Sequence, residues 1–273
     1  MNPAGTEPTC SLVITTYNWP EALDLCLRSS LAQSESPLEI IVADDGSTDE
    51  TARLVAGFRS TATIPVAHVW QEDQGYRLAA SRNRAIASAK GEYVVIVDGD
   101  MVLHRDFIFD HRHMARKGTF IQGSRMLLSP ENTSRRLATK KIEVSAFERG
   151  IGNRKNALRL PLLSGLLATG TTSLKGIRGC NISFFRDDCI RVNGFNEDFT
   201  GWGREDSEFA VRLFNNGILR RNVRFSAIAA HLWHRENTRH ALPENDRLLD
   251  QAIAGKLRRC SNGIDKYLQD LVV

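Results

Sequence analysis

Three clusters of carboxylates stand out in this chain of 273 residues: Asp44-Asp45, Asp98-Gly99-Asp100 and Glu205-Asp206. Two carboxylates separated by one glycine can share a ligand. One acid can hold a divalent cation while the other accepts a hydrogen bond from a ribose hydroxyl or a metal-bound water. The glycine lets the backbone approach that ligand closely. The alternative is a solvated turn without a ligand.

The middle cluster follows an apolar run that is typical of a buried strand. Residues 92–97 read Glu-Tyr-Val-Val-Ile-Val, so Asp98 and Asp100 would emerge where a parallel strand ends. Open α/β sheets bind ligands at the carboxyl ends of their strands. We therefore expect these two acids to bind a ligand rather than to form an ordinary turn.

The first cluster follows an equally apolar run, residues 38–43. Residues 44–49, Asp-Asp-Gly-Ser-Thr-Asp, offer hydrogen-bond acceptors that suit a pyrimidine N–H or ribose hydroxyls, and Asp45 is the candidate. The same residue types also form turns that lead into a helix N-cap. By itself, this motif favours the structural interpretation.

Polar residues also end the first predicted strand. Thr15 can reach a nucleotide from that position, and Tyr17 can stack on a base. Asn18 lies in the same turn, so we include it with Thr15 and Tyr17 among the candidates for binding the nucleotide.

Three arginines lie near the start of a predicted helix: Arg77, Arg82 and Arg84. Because a guanidinium binds phosphate oxygens in a bidentate manner, we expect one of them to face a diphosphate, with Arg77 and Arg82 as the candidates. The alternative for each is solvation on an exposed helix face.

The first half of the chain alternates strand and helix patterns. Strands are predicted at residues 11–16, 38–43, 65–70 and 92–97, and helices at 19–31, from Thr48 or Asp49 through Phe58, and at 78–89. This order predicts an α/β fold with a doubly wound, mostly parallel central sheet flanked by helices, in a single large domain.

The rest of the chain is less regular. We expect residues 8–105 to form a nucleotide-sugar-binding half, residues 106–240 an acceptor-binding and catalytic half, and residues 241–273 a helical tail. Residues 119–124 can form a further strand. Residues 125–175 predict a helical and loop excursion that is mobile and faces the acceptor, or else a surface helical hairpin packed on the domain.

Composition excludes several classes of protein. No stretch approaches the roughly 20 apolar residues that span a bilayer. The first ten residues do not resemble a signal peptide, so we expect a cytoplasmic protein. The five cysteines form no CxxC pair and are expected to be reduced. A net charge of +4 does not indicate nucleic acid, although the basic residues within 125–175 could contact an anionic glycan or the inner face of a membrane peripherally.

The third cluster lies in the segment Gly201-Trp-Gly-Arg-Glu-Asp206, before a helix predicted from Ser207 to Asn215. A carboxylate at a helix start beside the indole of Trp202 is desolvated and gains basicity, which suits a base for a hydroxyl proton. The alternative for Glu205 and Asp206 is simple acidic capping of the helix.

Two histidines, His231 and His234, follow a β-like run at residues 225–230. If the chain turns helical there, both imidazoles can face one metal, and they suit Mn²⁺ or Zn²⁺. The alternative for at least one of them is a buried structural histidine beside Trp233.

Several of these motifs together resemble a known family. Residues 12–18, 40–51, 82–84 and 94–100 resemble the N-terminal half of family 2 glycosyltransferases of GT-A fold. Residues 178–185, 194–199, 201–206 and 209–217 resemble the galactosyltransferase-type module of β-1,4-galactosyltransferases and bacterial chondroitin-type polymerases. The resemblance covers about residues 10–240, without the segment 125–175. One departure is Arg204, where those galactosyltransferases usually carry glycine.

The resemblance implies a role for each matching residue. Asp45 would contact the uracil or ribose and Asp98 the ribose, while Asp206 would be the general base. Glu205 would bind the acceptor or the donor sugar, and Trp202 would line the pocket. The implied metal is Mn²⁺, or Mg²⁺, and its implied ligands are Asp100, His231 and His234.

We therefore expect a metal-dependent, inverting glycosyltransferase that moves a sugar from a UDP-sugar to a glycan or lipid-linked glycan, in bacterial polysaccharide or lipopolysaccharide synthesis. One alternative is a nucleotidyltransferase, although no Gly-rich, Lys-containing phosphate loop is present near the N-terminus. The other is a noncatalytic module that binds a sugar nucleotide or glycan. The sequence leaves the donor sugar, the acceptor and the oligomeric state open.

Overall fold

A computed structural model describes residues 7–143, 145–235 and 238–269. Its first half alternates strands and helices as the periodicity predicts. The elements are β1 (Cys10–Thr16), α1 (Pro20–Leu31), β2 (Glu39–Asp44), α2 (Asp49–Thr61), β3 (Val66–Trp70), α3 (Leu78–Ser88) and β4 (Tyr93–Asp98).

The remaining described residues form shorter elements. They are β5 (Met101–Leu103), α4 (Phe107–Met114), β6 (Thr119–Gln122), β7 (Arg125–Leu128), α5 (Pro130–Thr139), β8 (Ile151–Gly152), a 3-10 helix (Arg154–Ala157), α6 (Pro161–Leu167), β9 (Gly170–Thr171), β10 (Asn181–Phe185), α7 (Arg186–Arg191), α8 (Glu205–Asn215), β11 (Leu219–Asn222), β12 (Ala229–His231), α9 (Leu242–Ala254) and α10 (Asp265–Leu268).

The central sheet has eight strands in the order β3-β2-β1-β4-β10-β6-β11-β9. The strands β3, β2, β1 and β4 are parallel, and β10 is antiparallel to β4. The register pairs Thr16 with Asp44 and Thr15 with Asp98, so the carboxyl ends of these strands meet at one edge. The predicted doubly wound, mostly parallel α/β fold is confirmed.

Side chains of each central strand alternate between two hydrophobic cores. Leu12 and Ile14 of β1 pack in the core that contains buried residues of α1 and α2. Val13, between them, packs in the core that contains buried residues of α3 and α8. Because successive side chains of a strand point to opposite faces, the apolar runs predicted as strands are buried on both sides.

A second sheet was not predicted from the sequence. It has four strands in the order β5-β12-β7-β8. The strand β12 pairs antiparallel with β5, and the register places His231 opposite Met101. These strands contain only two to four residues each, too few for a clear alternating pattern.

Three predicted elements differ in detail from the observed ones. The helix predicted from Ser207 begins at Glu205, so both acids of the third cluster lie in its first turn. The strand predicted at 119–124 ends at Gln122. Of the β-like run at 225–230, only its last two residues belong to β12.

The excursion at residues 125–175 contains two α-helices and short strands, and β8 and β9 pair with β7 and β11. Its mobility and its contact with an acceptor stay predictions. The described part of the predicted tail contains α9 and α10, while residues 270–273 lie outside the described residues. All five cysteines are buried and unpaired. Among the helices in the described ranges, none is long and apolar enough to cross a bilayer.

Candidate active site

A cleft of about 790 Å³ opens at the carboxyl ends of β1 and β4. All of the predicted site residues except Asn18 and Arg77 line it. The three carboxylate clusters therefore meet in one cavity, although the third lies more than a hundred residues after the second.

The two acids of the first cluster have different environments. Asp44 is part of the turn, because its Oδ1 accepts from the Ser47 N–H at 2.8 Å and its Oδ2 lies 2.8 Å from His68 Nε2. Asp45 lines the cleft, and it accepts from Gln71 Nε2 at 2.6 Å and from the Arg77 N–H at 2.8 Å. Burial raises the pKa of Asp45.

Asn18 and Arg77 hold the backbone beside the cleft rather than line it. The Asn18 side chain accepts from the Thr48 N–H at 2.9 Å, and its own N–H donates to Ser47 Oγ, so it joins the turns after β1 and β2. The Arg77 guanidinium donates to the Glu72 carbonyl, and the residue holds Asp45 only through its N–H. Neither side chain faces the cleft.

Tyr17 lies at the rim of the cleft and is 51% exposed. Its hydroxyl donates to Asp73 Oδ2 at 3.0 Å, and this hydrogen bond raises the pKa of the phenol. The exposed ring leaves a π-face available to a base. The stacking role stays a prediction.

Arg82 is buried between carboxylates of both halves of the chain. Its Nη1 donates to Glu205 Oε1 at 3.0 Å and its Nη2 to Asp98 Oδ1 at 3.4 Å. Asp98 Oδ1 also accepts from Thr15 Oγ1 at 2.9 Å. A buried cation needs such partners. Both donating nitrogens of Arg82 are thus occupied by carboxylates rather than directed toward a diphosphate, and Arg84 lies over the ring of Tyr267 at 4.7 Å.

Glu205 and Asp206 lie at the start of α8, beside each other at the cleft. Asp206 accepts from the Gly179 N–H at 2.9 Å and from Ser207 Oγ at 3.2 Å. Burial raises the pKa of Asp206, and burial together with the negative charge of Asp206 raises the pKa of Glu205 to about 7. Two adjacent buried acids titrate as a pair.

Gly179 lies directly against the guanidinium of Arg82. A Cβ at this position would be 2.4 Å from Arg82 Nη2 and 2.8 Å from Nη1. Because Gly179 has no side chain, the backbone just before β10 can pack on Arg82 while the Gly179 N–H donates to Asp206.

Asp100, His231 and His234 form a third group at the cleft. Asp100 Oδ2 lies 3.3 Å from His231 Nε2 and 3.2 Å from His234 Nε2, and one donor atom of each residue lies within 4.8 Å of the others. Asp100 Oδ1 is buried and has no hydrogen-bond partner in the described part of the chain. An orphaned carboxylate oxygen beside two imidazoles fits a divalent transition metal.

The sequence suggested that a helical turn brings the two histidines together, but the structure has no helix there. His231 ends β12, whereas His234 follows in a segment without regular structure. The pairing of β12 with β5 places His231 beside Asp100, and the Leu232 N–H donates to the Asp100 carbonyl at 2.9 Å. The two imidazoles therefore reach Asp100 from the end of a strand and from the irregular segment after it, not through helical periodicity.

Comparison with known proteins identifies the family. The profile described as glycosyl transferase family 2 matches residues 11–176. The chain belongs to glycosyl transferase family 2. A second profile, described as the N-terminal domain of galactosyltransferase, matches residues 169–235 of this glycosyltransferase.

Relatives include a chondroitin synthase from Escherichia coli, which is 31% identical over 81% of this chain and 34% of its own length. A validoxylamine A glucosyltransferase from Streptomyces hygroscopicus subsp. limoneus is 31% identical over 77% of this chain and 49% of its own length. This glycosyltransferase thus spans half or less of the length of these two relatives.

Solved structures agree with the fold. Residues 1–349 of S. aureus TarS in complex with UDP-GlcNAc give a TM-score of 0.65 at 18% identity, covering 97% of this chain and 71% of that chain. A Pyrobaculum calidifontis mannosyltransferase in complex with GDP-Man and Mn²⁺ gives a TM-score of 0.60 at 22% identity, covering 96% of this chain and 68% of that chain. At these identities the likeness shows the fold, and the predicted GT-A fold is confirmed.

Sequence reasoning missed several residues of the glycosyltransferase cleft. Gln71 holds Asp45, and a glutamine in a polar turn gave no signal. Arg125 and Arg178 line the cleft, and Arg125 Nη1 donates to Cys180 Sγ at 3.3 Å. A buried thiol, whose pKa burial raises to about 12, is a weak acceptor that leaves the cation unneutralised. Arg125 lies within the basic segment 125–175 and Arg178 just after it, but neither position indicated which arginines face the cleft.

Arg204 adopts a backbone conformation that favours glycine, with φ at 77°. This explains why a glycine suits the position in the galactosyltransferases that the motif resembles. The Arg204 side chain lines the cleft and forms an ion pair with Asp246 of α9 at 2.5 Å. The cation therefore links the acidic motif to α9.

We expect Gly179→Ala to lower kcat/KM of sugar transfer by about 10- to 100-fold, because small displacements of site groups have effects of that size. The new methyl group must displace Arg82 or the Gly179 N–H that holds Asp206. The control is Gly57→Ala on α2, where a Cβ meets nothing within 4 Å. Transfer at the wild-type rate by Gly179→Ala would contradict the role assigned to this contact.

Proposed function

We propose that this protein is a metal-dependent, inverting glycosyltransferase that transfers a sugar from a UDP-sugar to a hydroxyl of a glycan acceptor. The observation that carries this proposal is the convergence of Asp45, Asp98, Asp100 and Asp206 on one cleft in a family 2 glycosyltransferase. The four carboxylates have separate environments, which suits separate roles in nucleotide binding, metal binding and proton abstraction.

Asp206 is the proposed general base. An acceptor hydroxyl is a weak nucleophile near neutral pH until a positioned carboxylate removes its proton. The Gly179 N–H and the Ser207 hydroxyl orient the Asp206 carboxylate, while burial raises its pKa and so increases its basicity. Single displacement at the anomeric carbon then inverts its configuration, and no enzyme nucleophile is needed.

The donor nucleotide would bind at the ends of β1, β2 and β4. Asp45 is held by Gln71 and the Arg77 N–H, so its carboxylate is fixed for a uracil N–H or a ribose hydroxyl. Asp98, fixed by Thr15 and Arg82, would take the ribose. The complex of TarS with UDP-GlcNAc supports a UDP-sugar, since the two chains share their fold.

The diphosphate needs cations that the carboxylates have not already engaged. Arg125 and Arg178 fit this need better than Arg77, which does not line the cleft, and better than Arg82, which two carboxylates already engage. In the described part of the chain, the side-chain partner of the Arg125 guanidinium is the Cys180 thiol. A guanidinium binds phosphate oxygens in a bidentate manner. We assign the diphosphate contact to these two residues.

Asp100, His231 and His234 would hold the divalent cation. One carboxylate and two imidazoles suit Mn²⁺ better than Mg²⁺, which prefers oxygen ligands and keeps its waters. When bound, such a cation offsets the negative charge of the departing diphosphate. The Mn²⁺ in the mannosyltransferase complex supports this assignment.

The acceptor would be a bacterial surface glycan, free or lipid-linked. The chondroitin synthase relative supports polysaccharide synthesis. Membership of a glycosyltransferase family argues against the nucleotidyltransferase alternative. A noncatalytic binding module would release no UDP from any donor, so turnover separates it from the proposal.

We expect Asp206→Asn to reduce sugar transfer by about 10²- to 10⁴-fold, which is the usual contribution of general base catalysis. Asparagine keeps an acceptor for the Gly179 N–H, so UDP affinity should remain close to that of the wild type. Release of the nucleoside diphosphate is measured with the best donor from a panel of UDP-sugars and GDP-mannose, and UDP affinity is measured by calorimetry. Asp187→Asn, an exposed acid on α7, is the control. Near-normal turnover by Asp206→Asn would refute the base assignment.

The raised pKa of the buried acid pair predicts an acidic limb of kcat/KM at higher pH than an ordinary aspartate would give. The base is active when deprotonated, so activity falls as pH drops through its raised pKa. Burial and the negative charge of Asp206 raise the pKa of Glu205 to about 7, so the two acids titrate as a pair, and Glu205→Gln, which leaves a single titrating acid, should shift the limb to lower pH. The exposed Glu50→Gln should leave it unchanged. An unshifted limb in Glu205→Gln would show that the pair is uncoupled.

Asp100→Ala should abolish the rise in melting temperature that Mn²⁺ produces, because it removes the charged ligand of the proposed site. His231→Ala and His234→Ala should each weaken it, and Mg²⁺ should act only at higher concentration than Mn²⁺. The control is His104→Ala, which removes a histidine that lies 3.8 Å from Asp106 outside this cluster. Equal Mn²⁺ stabilisation of Asp100→Ala and wild type would refute the site.

A further inference from the structure

The helix α6 exposes its leucines to solvent. Leu162 is 87% exposed and Leu166 is 79% exposed, and the neighbouring Leu163 and Leu167 are also exposed. These positions recur at helical spacing and cover one face of the helix. Large apolar side chains grouped on one exposed face mark an interaction surface more often than isolated ones do. We call this group the leucine face.

The opposite side of the helix attaches it to the body of the protein. Ser164 is fully buried and Ala168, just after the helix, is 6% exposed. The Ala168 carbonyl accepts from Arg221 Nε at 2.9 Å, and the Leu160 N–H donates to the Phe225 carbonyl at 2.8 Å. The small residues therefore face inward and the leucines face outward, whereas a helix that contributes to the hydrophobic core of a protein buries its large apolar side chains.

The segment around the leucine face has a large excess of basic over acidic residues. Residues 135–178 contain ten basic residues (Lys and Arg) and two acidic residues (Asp and Glu). The remaining residues of the chain contain 26 basic and 30 acidic residues. The segment is therefore strongly positive, while the rest of the chain is slightly negative. Several of these cations are exposed, namely Arg149, Arg154, Lys155 and Lys175.

We propose that the leucine face and its flanking cations dock onto the surface of an anionic lipid bilayer. A surface that buries leucines and attracts cations must offer both apolar depth and negative charge, and the headgroup boundary of an anionic bilayer offers both. A second copy of this chain fits less well, since a symmetric contact would bring two positive segments together.

The docking surface lies within the sequence between two stretches of the cleft. Arg125, Leu127 and Leu128 precede the segment, Ile177 and Arg178 end it, and all line the active-site cleft. The segment that carries the docking surface is therefore joined to the cleft wall at both of its ends. This inference goes beyond sugar transfer itself, because transfer to a water-soluble acceptor does not require the leucine face.

The test is co-sedimentation of the protein with vesicles of phosphatidylcholine alone or mixed with phosphatidylglycerol. We expect the wild type to bind the anionic vesicles more strongly, and salt to weaken that binding. Leu162→Ser combined with Leu166→Ser should reduce binding by about tenfold or more, since each leucine loses its apolar burial. The matched control is Leu38→Ser with Leu257→Ser, two exposed leucines elsewhere.

A second variant, Lys155→Glu with Lys175→Glu, tests the charges without touching the leucines. It should also lose binding to anionic vesicles, while a UDP thermal shift equal to that of the wild type shows that each variant is folded. The proposal would be overturned if the wild type did not bind anionic vesicles, or if both variants bound them as strongly as the wild type. The same holds for a wild-type dimer in sedimentation velocity that Leu162→Ser with Leu166→Ser dissociates while vesicle binding persists.

Discussion

The guanidinium of Arg82 is buried between Glu205 at the start of α8 and Asp98 at the end of β4. Removing a charge from water is costly, and the carboxylates on either side of this buried guanidinium offset that cost. These contacts join the nucleotide half of the sheet to the acidic motif of the second half. Gly179 completes the arrangement, because its missing side chain leaves room for Arg82 and its N–H holds Asp206.

A similar division of roles occurs within the carboxylate clusters. Asp44 accepts from the backbone of the following turn, while the adjacent Asp45 lines the cleft. Asp98 is fixed by Thr15 and Arg82, whereas Asp100 lies beside two histidines. In the first cluster one acid is thus part of a turn, and its neighbour is the candidate for ligand binding. In the second cluster the two acids have different partners, which suits the separate roles proposed for them.

The second sheet is the other element on which the site depends. Its short strands pair β12 with β5, and this pairing brings His231 and His234 to Asp100. It also carries Arg125 on β7 into the cleft wall. The chain leaves the cleft wall after β7 and returns to it at Ile177 and Arg178, so Arg125 and Arg178 enter the cleft from opposite ends of the intervening segment.

The sequence by itself determined the strands and helices of the first half and the carboxylates that end them, because long apolar runs and their polar ends are local patterns. It also indicated Asp206 and the two histidines. Only the tertiary structure decided what each group contacts. The engagement of Arg82 by two carboxylates, the support of Asp45 by Gln71 and the meeting of Asp100 with His231 all join residues distant in the chain. Such contacts depend on which distant elements pack or pair with each other, and that choice leaves no local pattern in the sequence.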